Sequence, residues 1–328
     1  MIRVGIVGAT GYTALELLKI LLRHPDVKVT QLTSRDEGCP SLESVHPELR
    51  ERLDLNFAPL DIDAFASNVD CAFCCLPHAA SAAIISKLLD KGIKVVDFSA
   101  DYRLNDVETF EQWYQVKHPD PDRIGNVPYG IPELFRERIK SANLVANPGC
   151  FPSSALIPLA PLIQHELIER SPIIVDSKTG VSGAGRKPNL KFHFPECNES
   201  VMAYGIGTHR HMPEIDQIIA RFTGNNISSI FTPHLVAMNR GILSTIYVKP
   251  IEGCSVETIH NELAKFYATE PFVRVTEQVP TTKDVAGTNF CDISVKQNRD
   301  LVVIVSALDN LIKGASGAAV RRLGENLR

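Results

Sequence analysis

The opening turn constrains this chain more than any other stretch. Arg3–Val7 reads as an apolar strand and Tyr12–Arg23 as an amphipathic helix, and between them lies Gly8-Ala-Thr-Gly-Tyr-Thr-Ala14. The small residues fall as G-x-x-G-x-x-A, with Ala14 at the third position. Gly8 and Gly11 permit a tight turn and let the backbone approach a pyrophosphate at a helix N-terminus. A glycine pattern by itself is weak. Placed after a strand and before a helix, it points to a dinucleotide fold.

The following residues keep that rhythm. Val27–Leu32 reads as a second strand, followed by Cys71–Cys75, a helix over Ala80–Lys91, a strand at Lys94–Asp97 and another at Asn143–Ala146. Strand and helix alternating in this way predict a parallel, doubly wound sheet. After about residue 155 the pattern changes. Ile173–Ser177, Ser229–Ala237, Leu243–Lys249, Phe272–Thr276, Asp292–Lys296 and Leu301–Ala307 are strand-like, with few helices expected between them. The expected fold class is α/β: a Rossmann-type dinucleotide-binding domain plus an α+β domain on a largely antiparallel sheet. The expected domains are 1–149 with 310–328, which carry the nucleotide turn, and 150–309. The tail Asn310–Arg328 reads as helical and is expected to pack on the first domain.

Composition narrows the partners. With 328 residues, a formal net charge of −4 and no basic block, nucleic acid is not an expected partner. No apolar run approaches the roughly twenty residues that span a bilayer. The N-terminus has no signal-peptide layout, so a cytoplasmic location is expected. Of eight cysteines, Cys71, Cys74 and Cys75 cluster. They lie in a short apolar run with no second pair at ligand spacing, which reads as a buried strand rather than a metal site.

The second strand ends in Leu32-Thr-Ser-Arg-Asp-Glu37. An NAD-preferring fold usually places an acid there for the ribose 2′-hydroxyl. Here Thr33, Ser34 and Arg35 come first and suit a 2′-phosphate, while Asp36 and Glu37 read as a solvated loop. NADP(H) is the expected cofactor.

Chemistry gathers around Cys150, which closes Leu144-Val-Ala-Asn-Pro-Gly-Cys150. Pro148 and Gly149 break the apolar run, and the residues after the cysteine read as a helix start. A thiol there meets free N–H groups and the positive end of the macrodipole, which favour the thiolate. Thr208-His-Arg-His-Met-Pro-Glu214 packs two imidazoles, a guanidinium and a carboxylate into seven residues. On an extended segment His209 and His211 would point one way and Arg210 the other. Either imidazole could serve as acid/base for the thiolate. Glu214 either orients that imidazole or caps the helix after Pro213. A second glycine-rich loop, Thr179–Pro188, offers Ser182, Arg186 and Lys187 to an anionic substrate, or is a surface turn. Arg103, in Phe98-Ser-Ala-Asp-Tyr-Arg-Leu104, ends another strand of the first domain and can also meet an anion.

Taken together, these motifs resemble the N-acetyl-γ-glutamyl-phosphate reductases, within the aspartate-semialdehyde-dehydrogenase-like group. The match runs through Gly-Ala-Thr-Gly-Tyr12, Asp97-Phe-Ser-Ala-Asp-Tyr-Arg103, Tyr129-Gly-Ile-Pro-Glu133, Asn147-Pro-Gly-Cys150, Gly180-Val-Ser-Gly-Ala-Gly-Arg186, His209-Arg-His211, Gly287-Thr-Asn-Phe290 and Asp309–Gly317. Ala14 departs from the glycine usual there. The resemblance implies an NADPH-dependent reduction of an acyl phosphate in arginine biosynthesis, with Cys150 as nucleophile and a thioester intermediate. It puts the acid/base on His211, with His209 second and Glu214 beside them. Cofactor contacts are expected from Gly8, Thr10, Gly11, Tyr12, Thr13, Ser34, Arg35, Pro77, Ser182, Gly183 and Asn310. Substrate contacts are expected from Arg103, Asn147, Ser182, Arg186 and Arg210. The resemblance also implies that 1–149 with 310–328 bind NADP, that 150–309 is the catalytic and dimerisation domain, and that the protein is a homodimer or homotetramer; no metal is expected. Two alternatives stay open: a reductase of another acyl phosphate, such as aspartyl phosphate or a carrier-bound substrate, and a non-catalytic NADP(H) sensor.

Overall fold

The computed structural model describes residues 1–35 and 38–326. It divides into two compact units, Met1–Pro148 with Ala315–Arg328, and Gly149–Gly314.

In the first unit six strands form a sheet: β1 Ile2–Val7, β2 Val27–Thr33, β3 Phe57–Ala58, β4 Cys71–Cys74, β5 Lys94–Asp97 and β6 Leu144–Ala146. The order is β3-β2-β1-β4-β5-β6, and the neighbouring strands all pair in parallel. The strand order reverses between β1 and β4, which opens a crevice at the carboxyl ends of these strands. Strands β4 and β6 are buried throughout and wholly apolar, as strands covered on both faces should be. Cys71 and Cys74 lie wholly within β4, where burial pushes the Cys71 thiol up to about 12.

Helix α1 (Tyr12–Leu21) buries Ala14, Leu15, Leu17, Leu18 and Leu21, the residues that share one helical face. Leu17, Leu18, Val4, Ile6 and Phe73 form one core with Ala319 of the tail. On the other face, Ile85 and Leu88 of α2 (Ala82–Asp90) pack with Ala72, Cys74 and Val95. Helix α3 (Pro132–Lys140) precedes β6. The tail turns through Ile312–Ser316 into a helix, Gly317–Asn326, which packs against α1 and α3. The Ser316 hydroxyl donates to the Thr13 carbonyl at 2.8 Å.

The second unit opens with helix α4 (Cys150–Gln164). Its sheet comprises β7 Ile173–Gly180, β8 Val201–Ala203, β9 Ser229–Val236, β10 Ile242–Val248, β11 Val273–Val275, β12 Cys291–Asn298 and β13 Leu301–Leu308. Their order is β11-β12-β13-β10-β7-β9-β8. Four of the pairings are antiparallel, while β7/β9 and β11/β12 are parallel. The sheet is mixed because helices, not hairpins, join some strands. Helix α5 (His211–Thr223) leads into β9, and α6 (Val256–Phe266) leads towards β11. The expectation of few helices was therefore wrong. Polar residues such as Glu214, Asp216 and Gln217 dilute the apolar stripe of α5, which nevertheless buries Ile215, Ile218 and Ile219.

Helix α4 is buried from Phe151 to Ile163. A buried chain of hydroxyls ties it to the sheet, with Ser154 Oγ 2.6 Å from Ser244 Oγ and Ser177 Oγ 2.7 Å from Ser244 Oγ. Pro161 has no N–H to give the Ile157 carbonyl one turn back. The Tyr267 hydroxyl takes that place, donating to Ile157 O at 2.5 Å.

Candidate active site

In the first unit, Gly8 adopts φ +79°, and a Cβ there would sit 2.9 Å from the Cys75 carbonyl oxygen. Only glycine meets both conditions without strain. Gly11 is the N-cap of α1, and no atom lies within 4 Å of where its Cβ would be. No acidic residue occupies the first turn of the helix, Tyr12 to Ala14. The space beside Gly11 is open and the turn leads into a helix N-terminus, which fits a pyrophosphate. Ala14 is fully buried, so its methyl is accommodated where the family usually has glycine.

A cavity of about 550 Å³ is lined by Gly8, Thr33, Ser34, Arg35 and Lys87, among others. It brings the expected Ser34 and Arg35 together with Lys87, which carries no local sequence signal. Asp36 and Glu37 lie outside the described residues. Thr10 and Thr13 are part of the β1–α1 turn and helix start.

The Asp97–Arg103 motif proves to be a brace. The Asp101 carboxylate accepts from Ala79, Ser81 and Ala82 N–H at 2.6–3.0 Å, capping α2. Pro77 starts that capped turn, its carbonyl accepting from Ala80 N–H at 3.3 Å. Asp97 accepts from the hydroxyls of Ser81 and Ser99, while burial and the neighbouring Asp101 raise its pKa to about 6. Arg103 is buried and donates to the carbonyls of Asn147 at 2.7 Å and Phe98 at 2.8 Å. Asn147 is buried too, and among the described residues its Oδ1 has no hydrogen-bond partner.

In the second unit, Cys150 is the first residue of α4, with Gly149 as N-cap. A cavity of about 450 Å³ is lined by Cys150, Phe151, Gly183, Tyr204, His209 and His211, together with residues of the 189–192 turn. His209, Arg210 and His211 are not extended. Arg210 is αR and serves as N-cap of α5, and His211 is the first helical residue. Both imidazoles still face one cavity, their centroids 4.8 Å apart, because the chain turns into the helix between them.

The two rings differ chemically. His209 is packed among Phe151, Tyr204, Phe231 and His211. Burial first, and Arg210 second, push its pKa down to about 4. Its Nδ1 accepts the His211 backbone N–H at 3.1 Å, which leaves the proton on Nε2. A neutral ring in that tautomer donates from Nε2 and is a poor base. The His211 Nε2 lies beside Gly149, 2.6 Å from where a Cβ would project, and so next to the thiol-bearing turn.

Glu214 ties two helix starts together. It is buried, and its Oε1 accepts the Gly149 N–H at 2.8 Å, fastening the start of α5 to the start of α4. Tyr204, which carries no motif, lines the cavity, and burial followed by the charge of Cys150 raises its pKa.

Asn310 and Ser182 meet through a hydrogen bond from Asn310 Nδ2 to Ser182 Oγ at 3.0 Å. Asn310 Oδ1 accepts from Gly241 N–H at 2.8 Å, and Ser182 Oγ donates to Asn239 O. These side chains hold the glycine-rich loop. Arg186 is exposed and is not part of the cavity lining.

Two family profiles match the chain, "Semialdehyde dehydrogenase, NAD binding domain" over residues 3–142 and "Semialdehyde dehydrogenase, dimerisation domain" over 150–310. The N-acetyl-gamma-glutamyl-phosphate reductase of Rhodopirellula baltica is 52% identical, covering 98% of this chain and 94% of that protein. That of Desulforudis audaxviator is 45% identical over the same shares. The chain belongs to the N-acetyl-γ-glutamyl-phosphate reductase family. It is thus an oxidoreductase of the semialdehyde dehydrogenase type, with an NAD(P)-binding domain and a dimerisation domain. Solved aspartate semialdehyde dehydrogenases share the fold. The Vibrio cholerae enzyme II complexed with ASA has a TM-score of 0.75 at 16% identity, covering 99% of this chain and 98% of that one. The Candida albicans enzyme with NADP has a TM-score of 0.74 at 15% identity, with the same coverage. Among the described residues no helix is long and apolar enough to cross a membrane.

Proposed function

We propose that this protein reduces N-acetyl-γ-glutamyl phosphate to N-acetylglutamate 5-semialdehyde with release of phosphate, as a cytoplasmic enzyme of arginine biosynthesis. The observation that carries the reading is one cavity shared by Cys150 at a helix N-terminus, neutral His209 and His211. A sensor of NADP(H) needs no thiol in such a setting.

In this reading the Cys150 thiolate attacks the acyl carbon, and the tetrahedral adduct expels phosphate to leave a thioester. NADPH, when held by the β1–α1 turn, would supply the hydride for reduction of the thioester carbon. The resulting thiohemiacetal loses its hydroxyl proton as its C–S bond breaks, returning the thiolate and releasing the aldehyde. His211 moves the proton at Nε2, first from the thiol and later at the thiohemiacetal oxygen. His209 donates from Nε2 and holds the His211 backbone in place. The α4 N-terminus favours both the thiolate and the oxyanion.

Gly8, Thr10, Gly11, Tyr12 and Thr13 would hold the pyrophosphate and Ser34 with Arg35 the 2′-phosphate. Pro77, Ser182 and Gly183 are further candidate cofactor contacts, and Asn310 the candidate contact for the nicotinamide. Arg103, Asn147, Arg186 and Arg210 are the candidate contacts for the acyl phosphate. The face of the second sheet opposite Ser177 and Ser244 carries half-buried Ile174, Thr245 and Tyr247, which supports pairing of two copies there as a homodimer or a pair of dimers.

The test is the reverse assay, phosphate-dependent reduction of NADP by N-acetylglutamate semialdehyde. Cys150→Ala and Cys150→Ser should abolish it. Substantial turnover in Cys150→Ala would sink the thioester route, and a strong preference for NAD would sink the reading of Ser34 and Arg35.

A further inference from the structure

The cavity around Cys150 has a second wall with its own chemistry. One wall carries the thiol, His209, His211 and Tyr204. The other is built from the turn Asn189–Phe192 and from Met202 and Leu235, which are register partners across β8 and β9. That wall is apolar except for Asn189 and Lys191. Asn189 spends its Oδ1 on the Lys191 N–H at 3.0 Å. This bond closes the turn and fixes where the Lys191 side chain departs. No Asp or Glu is among the lining residues, and Lys191 is the one lysine or arginine among them. Among the described residues it enters no ion pair. An ammonium without a counter-ion, on a wall that is otherwise uncharged, is complementary to an anion held away from the thiol.

We propose that Lys191 is the specificity-determining residue that receives the α-carboxylate of the substrate, leaving the acetamido group to Phe192, Met202 and Leu235. This rests on the reaction proposed above. That substrate carries two anionic ends, and the acyl-phosphate end must lie at Cys150 for attack. The carboxylate then needs a cationic partner elsewhere in the lining, where Lys191 is the one lysine or arginine, and the volume of about 450 Å³ suits a ligand of this size.

The experiment compares wild type, Lys191→Met and Lys191→Arg in the reverse assay with two aldehydes. One is N-acetylglutamate semialdehyde, and the other is N-acetyl-4-aminobutanal, which keeps the aldehyde and acetamide but lacks the carboxylate. In Lys191→Met the KM for the semialdehyde should rise roughly 10- to 100-fold with kcat little changed. Lys191→Arg should recover most of the loss. Wild type should lose a similar factor on the carboxylate-free aldehyde, and Lys191→Met should lose nothing further on it. An equal loss by Lys191→Met on both aldehydes, or a rise in KM for phosphate instead, would overturn the assignment while wild type stays active. Wild type inert towards the semialdehyde would overturn the reaction and the subsite together.

Discussion

The Glu214 carboxylate accepts the backbone N–H of Gly149 at 2.8 Å, across 65 residues of sequence. It satisfies a donor at the end of α4 that would otherwise be buried, and it sets the position of the adjacent Cys150. Gly149 is the N-cap of α4 and Glu214 lies in the first turn of α5, so the bond fixes one helix start against the other.

Removing that acceptor should cost stability and rate together. Glu214→Ala leaves the Gly149 N–H unsatisfied, a loss of about 1–3 kcal/mol. We expect a lower Tm and slower alkylation of Cys150 by iodoacetamide, with kcat reduced. Glu214→Gln keeps a carbonyl acceptor and should restore most of the Tm. Equal Tm values for wild type and Glu214→Ala would show that the bond contributes nothing.

The two histidines should separate kinetically. Loss of a general acid/base is worth on the order of a hundredfold or more in kcat, and His211→Asn should show it. His209→Asn should be milder, because His209 donates and positions rather than exchanging protons. Stopped-flow measurement of the thioester-forming step gives the ordering. A greater loss in His209→Asn would reverse the roles.

His209 also predicts a pH dependence of folding. Its pKa is depressed to about 4 in the folded state against roughly 6.5 unfolded. Below pH 6.5 the unfolded chain therefore binds the proton more readily, and stability falls as pH drops towards 4. The loss from this residue is on the order of 2 kcal/mol at pH 5. Urea unfolding of wild type and His209→Asn at pH 7.5 and pH 5 should show the smaller pH effect in the variant. Parallel pH profiles for the two proteins would contradict burial of a neutral imidazole.

Tyr267 offers a test remote from the chemistry. Its hydroxyl occupies the Ile157 carbonyl that Pro161 cannot serve. Tyr267→Phe should destabilise the second unit by about 1–3 kcal/mol and leave the KM values nearly unchanged. Denaturant unfolding reads the first and steady-state kinetics the second.

Some of this was legible from residues close in sequence. The β1–α1 turn, the alternation that makes the first sheet, and a cysteine opening a helix are all set by local backbone chemistry. Glycine at φ +79° in Gly8 and proline before Gly149 act on their immediate neighbours. The pattern was less informative where helices carry mixed faces, as in α5. There His209 and His211 were expected on an extended segment, yet they reach the same cavity by way of a helix entrance.

The amino-acid sequence by itself determined the two kinds of sheet, the nucleotide turn and the thiol at a helix start. Only the tertiary structure decided what meets that thiol. Pairing of Met202 with Leu235 brings two apolar residues of the cavity lining together. Burial, not sequence, makes His209 neutral and commits its Nδ1. Glu214 reaches Gly149 because α4 and α5 pack side by side. Charge state and hydrogen-bond partner depend on surroundings drawn from distant segments, and these exist only once the chain has folded.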